Sequence, residues 1–382
     1  MAKKKIVILS TMGLDVNISI IKRLREKYDV YFFFSENEGE GRFGDWKSSH
    51  IINRGDTIKE LALIKDFVDL TKTFLVKHPE GLSYKKITVE FETLHLVRKI
   101  NPDVILTDCT NIIFWLPRWV YKKKCISIIH DPIPHSGEDT FGRKLSNRFL
   151  VHWGQRYVLF NNKQEDEFSE LYHIPKNKIY CSFLSQYEFM TLFKTQKELL
   201  PKEPEKLKVL FTGRISPYKG IKYLYEATKQ YLSSRDDIHV VIAGKGNIDV
   251  DMSDIDSKYL TIYNRFIESD ELYSLINWCD IVVCPYTDAT QSGVIMSAYA
   301  LCKPVLATKV GGLPEMLMDG KLGYLVPPKD SDSLCKAFEH LATHKDELQQ
   351  FSANIKSVYF GNGEKSWNKS VEIIEQAIES IC

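Results

Sequence analysis

Residues 290–307 read TQSGVIMSAYALCKPVLA and run directly into TKVGGLPE at 308–315. A small polar loop opens a mixed apolar stretch, and Lys303-Pro304 then leads into a short β-branched run. This is the spelling of a helix followed by a buried strand. Gln291-Ser292-Gly293 starts that helix with backbone N–H groups that have no partner inside it, and such an end favours phosphate. An ordinary helix cap accounts for the same letters, so the surrounding chain has to decide between them.

Working outward, the same alternation recurs. KVLFTG (208–213), IHVVIAG (238–244), YLTIYN (259–264), DIVVCPY (280–286), KPVLATK (303–309) and GYLVPP (323–328) read as short buried strands. Helical stretches such as IKYLYEATKQYL and SDELYSLINWC lie between them. An earlier series has the same character: KIVILS (5–10), DVYFFF (29–34), PDVILTD (102–108), CISIIHD (125–131) and YVLFNN (157–162). Apolar strands alternating with helices predict parallel sheets covered on both faces. Residues 36–99 are richer in charge and fit helices with an acceptor-facing loop. The polar, proline-bearing run 194–207 is the expected linker. It divides a first Rossmann-like domain, 1–193, from a second, 208–360. A C-terminal helix within 361–382 is expected to pack back on the first domain. The fold class is therefore α/β, two facing Rossmann-like domains with a cleft between them, lined by loops at the strands' carboxyl ends.

At 382 residues, with 44% apolar and 26% charged side chains, the chain has the composition of a soluble globular protein of two domains. The opening apolar run is too short to span a bilayer and lacks a cleavage site, so a cytoplasmic location is expected. Eight cysteines without a CxxC pair fit buried thiols better than disulfides or zinc. The net charge of +1 conceals an asymmetry. Residues 1–200 carry 31 Lys/Arg against 25 Asp/Glu, and residues 201–382 carry 20 against 25. The first half is thus suited to an anionic partner. No arginine-rich arm or recognition motif speaks for nucleic acid. The segment FWLPRWVYKKK (114–124) combines aromatic and basic side chains in the manner of a lipid headgroup interface, although a buried helix with a solvated end has the same letters.

Three elements bring positive character to one side of the second sheet. Gly213 ends a strand in FTGRISPYKG, Arg214 follows it, and Lys219-Gly220 precedes the next helix. Arginine offers phosphate a rigid fork and lysine a mobile point charge. Gly244-Lys245-Gly246 forms a turn after the next strand, and the helix start at Ser292-Gly293 is the third element. There is no GxGxxG, no GxxxxGK[ST], no HExxH and no cluster of metal-ligating residues. A diphosphate site made by side-chain charge and amides, with no protein-bound metal and no cofactor, is the expectation.

These pieces, together with STMGLDVN (10–17), SIIHDPIPHSGE (127–138) and the long segment from Phe266 to Glu315, resemble the retaining nucleotide-sugar glycosyltransferases of GT-B architecture, family 4 type (glycosyl transferases group 1). The resemblance implies a nucleotide-diphosphate sugar as donor substrate and a hydroxyl of a glycan or lipid-linked glycan as acceptor, and the basic, aromatic first half points to peripheral contact with an anionic membrane at its inner face. It implies that Arg214 and Lys219 grip the diphosphate and that Gly13 lets its loop approach the donor. His130 would contact the donor sugar, Asp131 would order that loop, and Glu315 would hold the turn it lies in. Much of the family carries two glutamates eight positions apart near the helix at 293. Here Ser297 stands in the second slot, and the loop Asp288–Gln291 lies near the first. Thr290, Gln291, Ser292 and the Gly293 amide thereby become the expected phosphate and sugar contacts. Two alternatives share the architecture: a nucleotide-sugar epimerase, and a non-catalytic nucleotide-sugar-binding or assembly subunit.

Overall fold

The computed structural model describes residues 2–11, 14–37, 51–78, 85–108, 113–130, 151, 153–160, 164–195, 197–289 and 291–381. The chain forms two compact units, Met1–Leu184 with Trp367–Cys382, and Ser185–Ser366.

The first unit is built on an eight-stranded sheet. Its strands are β1 (Lys5–Ser10), β2 (Asp29–Asn37), β3 (Ile52–Arg54), β4 (Thr73–His78), β5 (Val104–Thr107), β6 (Cys125–Ile129), β7 (Arg156–Leu159) and β8 (Ile179–Cys181). They lie in the order β3-β4-β2-β1-β5-β6-β7-β8. Only β3, at the edge, runs antiparallel, against β4. Strands β1, β5 and β6 are almost wholly apolar because helices cover both faces. Val7, Leu9, Phe33, Ile105 and Cys125 form one layer of core with Val89 and Val97 of the helix Lys85–Ile100. The stretch 51–78 thus supplies two strands and a set of 3-10 turns where helices and an acceptor-facing loop were expected, with the helix following at 85–100. β3 has three residues, too few for an alternating pattern to show.

The C-terminal helix Trp367–Glu379 belongs to this first unit. Trp367 is fully buried. Arg23 Nε donates to Asn368 Oδ1 at 3.0 Å, the Ser182 and Ser370 hydroxyls meet at 2.8 Å, and Lys27 pairs with Glu375 at 2.6 Å. The chain passes between units at Leu184–Ser185 and again at Ser366–Trp367, rather than within 194–207 and at 360–361. The reason is local: the Tyr187 amide donates to Met296 O at 3.1 Å, and the 3-10 helix Glu188–Phe193 packs on the second unit.

That second unit holds β9 (Leu207–Thr212), β10 (Ile238–Ala243), β11 (Leu260–Tyr263), β12 (Ile281–Cys284), β13 (Val305–Thr308) and β14 (Gly323–Val326). All are parallel, in the order β11-β10-β9-β12-β13-β14. Renumbered within the unit this is 3-2-1-4-5-6, the Rossmann order, and the strand order reverses between β9 and β12. Ligands of such sheets bind outside the carboxyl ends at that reversal. No helix among the described residues is long and apolar enough to cross a membrane.

Candidate functional site

The loops that leave β9 and β12 enclose the reversal point of the second sheet, and glycines let them close on each other. Gly244 has φ +158°, and a Cβ there would lie 1.8 Å from Gly213 O. Ile215 N donates to Lys245 O at 3.0 Å, which fastens the β9 loop to the β10 loop. At the other end of the β9 loop Gly220 adopts φ +71°, and a Cβ on it would sit 1.8 Å from Pro285 O. Thr287 N donates to Tyr218 O at 2.8 Å. The loops after β9, β10 and β12 therefore form one braced backbone, and Gly244 and Gly220 are required by close approach rather than by flexibility.

Lys219 projects from this brace. Its Nζ lies 3.7 Å from the centre of the Tyr286 ring and 5.1 Å from that of Tyr218. Burial pushes the lysine down to about 8, and the neighbouring Arg214 charge acts in the same direction. Arg214 itself is exposed at the end of β9. Tyr286 is fully buried, and its hydroxyl lies 3.3 Å from Ser292 Oγ. Thr308 Oγ1, at the end of β13, donates to Tyr286 O at 2.5 Å.

The helix quoted at the outset spans Gly293–Ala300, with Ser292 as its N-cap. The Ser292 hydroxyl makes no capping bond and turns to Tyr286 instead. Ile295 and Met296 amides bond back to Ser292 O, at 3.2 and 3.5 Å. Tyr187 lies against the helix start, where a Cβ on Gly293 would meet its hydroxyl at 3.0 Å. Ser297 is buried one turn on, and its hydroxyl donates to Gly293 O at 3.0 Å. Its proton is thus committed to the helix, which leaves acceptor lone pairs for a ribose hydroxyl. Glu315 is half-buried in the short helix Leu313–Met316 after β13. Arg214, Lys219, Gly244, Gln291, Ser292, Gly293, Ser297 and Glu315 all lie in this second unit. Thr290, Gly13 and Asp131 lie outside the described residues.

His130 follows β6 in the first unit. Its ring packs on Phe160 with centres 5.2 Å apart, and its buried Nε2 has no hydrogen-bond partner among the described residues. Asp108, at the end of β5, is fully buried and turned inward. It accepts from Ser10 Oγ at 2.8 Å, Asn17 Nδ2 at 2.6 Å and the Thr11 amide at 3.1 Å. Burial raises its pKa, against the opposing influence of His130 and these donors. Asp108 therefore ties the end of β1 at Ser10 and Thr11 to Asn17 of the following helix. Arg118, expected among the headgroup-facing cations of 114–124, is buried over the Trp153 ring. The sequence reading also passed over Tyr286, Tyr187 and Asn17. Only the strand-end spelling CPY offered a signal for the first of them.

No group of three or more His, Cys, Asp or Glu side chains able to hold a metal ion occurs among the described residues. The geometry is that of an anion site: an arginine, a half-buried lysine and a helix start at the reversal of a Rossmann-ordered sheet.

Residues 206–344 match the family described as glycosyl transferases group 1. The chain as a whole has the GT-B fold, which the solved structures share. Among solved structures, the Anabaena HepE protein in complex with UDP superposes with a TM-score of 0.65 at 14% identity, over 99% of each chain. Sucrose-phosphate synthase from Thermosynechococcus elongatus gives the same TM-score, identity and coverage. A Salmonella typhimurium lipopolysaccharide 1,2-N-acetylglucosaminetransferase is 29% identical over 189 residues, 45% of this chain and 48% of the relative. The alpha-D-kanosaminyltransferase of Streptomyces kanamyceticus is 23% identical over 220 residues, 55% and 57% of the two chains. The chain thus spans about half the length of the curated relatives it matches.

Proposed function

We propose that this protein is a retaining glycosyltransferase that moves a sugar from a nucleotide-diphosphate donor to a hydroxyl of a glycan or lipid-linked glycan. The observation that carries this reading is the pairing of Arg214 and Lys219 at the β9–β12 reversal, beside the helix that starts at Gly293. In the reaction the bond from the anomeric carbon to the phosphate oxygen breaks while the acceptor oxygen bonds to the same face. The acceptor proton passes to the departing phosphate oxygen. Arg214 and Lys219 meet the charge that grows on the leaving diphosphate, so their effect is largest in the transition state. Gln291, Ser292 and the Gly293 amide hold the phosphates, and the family resemblance adds Thr290, their neighbour in sequence. Ser297 serves the ribose and Glu315 steadies the turn; the family resemblance assigns His130 and Gly13 to the sugar. The donor is a substrate, and no metal or resident cofactor enters the scheme.

A lipid-linked acceptor at the cytoplasmic face of an anionic membrane fits the first unit. Trp119, Phe91 and Ile87 are 52%, 60% and 56% exposed, and Lys122 and Lys123 lie exposed beside the tryptophan helix. Aromatic and aliphatic side chains with flanking lysines suit a headgroup layer.

Thermal melting with UDP, GDP and ADP, each alone and as its common sugar conjugate, tests the donor site. A rise in melting temperature with one nucleotide, lost in Arg214→Ala, is expected; no rise with any of them at millimolar concentration would refute the site. Sedimentation with phosphatidylglycerol vesicles against phosphatidylcholine vesicles tests the membrane face, with Trp119→Ser as the variant expected to remain in solution. Epimerases share this fold: a UDP-N-acetylglucosamine 2-epimerase superposes with a TM-score of 0.63 at 12% identity. The family match over 206–344 favours transfer. Recovery of an epimerised donor without an acceptor product would reverse that preference, and donor binding without any turnover would identify a non-catalytic subunit.

A further inference from the structure

We propose that Tyr286 is the positioning residue for the diphosphate-binding lysine: its ring holds the Lys219 ammonium over the β9–β12 reversal without offering an oxygen that competes with phosphate. The inference rests on the donor-site reading above and adds to it a residue with no donor contact of its own.

Lys219 Nζ stands 3.7 Å from the Tyr286 ring centre, close enough for a strong cation–π contact. Its ammonium makes no ion pair or hydrogen bond with any group among the described residues. A carboxylate in this place would bind the lysine in the empty site and would have to be displaced before phosphate could. The face of a ring attracts the cation from below and leaves its N–H groups pointing away, so the contact survives ligand binding. Burial of a cation with no counter-ion is unfavourable, and the incoming diphosphate supplies the missing charge.

The ring is itself held firmly. Thr308 Oγ1 donates to the Tyr286 carbonyl, Tyr218 packs edge-on with ring centres 6.4 Å apart, and the preceding Pro285 carbonyl occupies the space a Gly220 side chain would need. The phenol oxygen lies 3.3 Å from Ser292 Oγ, the residue that caps the helix at Gly293. One side chain therefore touches both halves of the anion site, the lysine through its face and the helix start through its hydroxyl.

Calorimetric titration with UDP, GDP and ADP of the wild type, Tyr286→Leu and Tyr286→Phe tests this. Tyr286→Leu is expected to weaken binding of the preferred nucleotide roughly tenfold, and Tyr286→Phe, which keeps the ring, by about twofold at most. Wild-type affinity in Tyr286→Leu, or equal losses in the two variants, overturns the proposal. Absence of binding by the wild type to all three nucleotides overturns the donor-site reading and the proposal with it, so the two failures are distinct. Should the leucine variant not fold, the geometry is read in the wild type after reductive ¹³C-dimethylation of its lysines. The Lys219 methyl resonance, assigned by its absence in Lys219→Met, is expected upfield of the other lysines through the ring current, and a random-coil position overturns the proposal.

Discussion

Nucleotide binding should depend on pH in a way that Lys219 dictates. In the empty site burial holds this lysine near 8, against an ordinary value of 10.5. A bound diphosphate favours the ammonium, so its pKa rises on binding and protonation is linked to affinity. With a midpoint of 8, the ammonium is about nine-tenths populated at pH 7 and about one-tenth at pH 9. The terminal phosphate of a nucleoside diphosphate is already ionised over that range, its last proton leaving near pH 6. Affinity for the preferred nucleotide should therefore fall about tenfold between pH 7 and pH 9, with roughly half a proton taken up per nucleotide at pH 8. Titration calorimetry at pH 8 in HEPES and in Tris, buffers of different ionisation enthalpy, measures that uptake directly. Lys219→Met should bind weakly and without proton uptake. The empty protein shows the opposite sign. The folded pKa lies below the unfolded one, so this group opposes folding fully below pH 8, and the effect fades as pH rises from 8 towards 10.5. Lys219→Met should therefore melt a few degrees higher than the wild type at pH 7 without ligand. Flat affinity from pH 7 to 9, together with an unchanged melting temperature in the variant, would refute the reasoning.

Gly244→Ala should abolish nucleotide binding and lower stability, because its Cβ would lie 1.8 Å from Gly213 O at a φ of +158°. Chemical denaturation and nucleotide titration of the same preparation check this, whereas Gly320→Ala, at φ +103° with nothing within 4 Å of its Cβ, should cost only backbone strain, about 1–2 kcal/mol. In the first unit Glu90 is buried and pushed up to about 7 by that burial, while accepting from the Phe114 and Leu116 amides at 2.7 and 3.0 Å. Its folded pKa exceeds the unfolded value of 4.5, so its contribution to stability should decline as pH rises from about 4.5 through 7. Urea midpoints between pH 5 and 8 should show that decline in the wild type and a flatter profile in Glu90→Gln. The same clamp orients the helix Trp115–Val120, whose Phe114 N-cap has φ +59°, so Glu90→Ala should also weaken vesicle binding if that helix meets the membrane.

What could be read from the sequence was whatever is encoded within a few residues. Strands such as KVLFTG and IHVVIAG are buried on both faces and spell themselves as apolar runs, and each ends where a glycine or a charged residue meets solvent. The placement of Arg214, Lys219 and Ser292 at a strand end, before a helix and at a helix start could be read for the same reason, since each position has a local meaning. The remainder depends on partners distant along the chain. Arg118 was counted with the surface lysines of its segment, yet it turns inward towards Cys125 and Trp153 and takes its charge away from the surface. Ser297 reads as a free hydroxyl, but one turn of helix aims it at Gly293 O. β4 lies inside a charged stretch that shows no clear period, because its pairing with β2 is decided by a strand forty residues earlier in the chain. Tyr286 shows the distinction most clearly. In DIVVCPY it is the last aromatic of a strand, with an unremarkable core role as the natural expectation. Its meaning comes from Gly220, sixty-six residues before it, whose missing side chain lets the β9 loop settle against Pro285 and bring Lys219 over the ring. A glycine that reads as a turn and a tyrosine that reads as core thus jointly determine where the site's lysine stands.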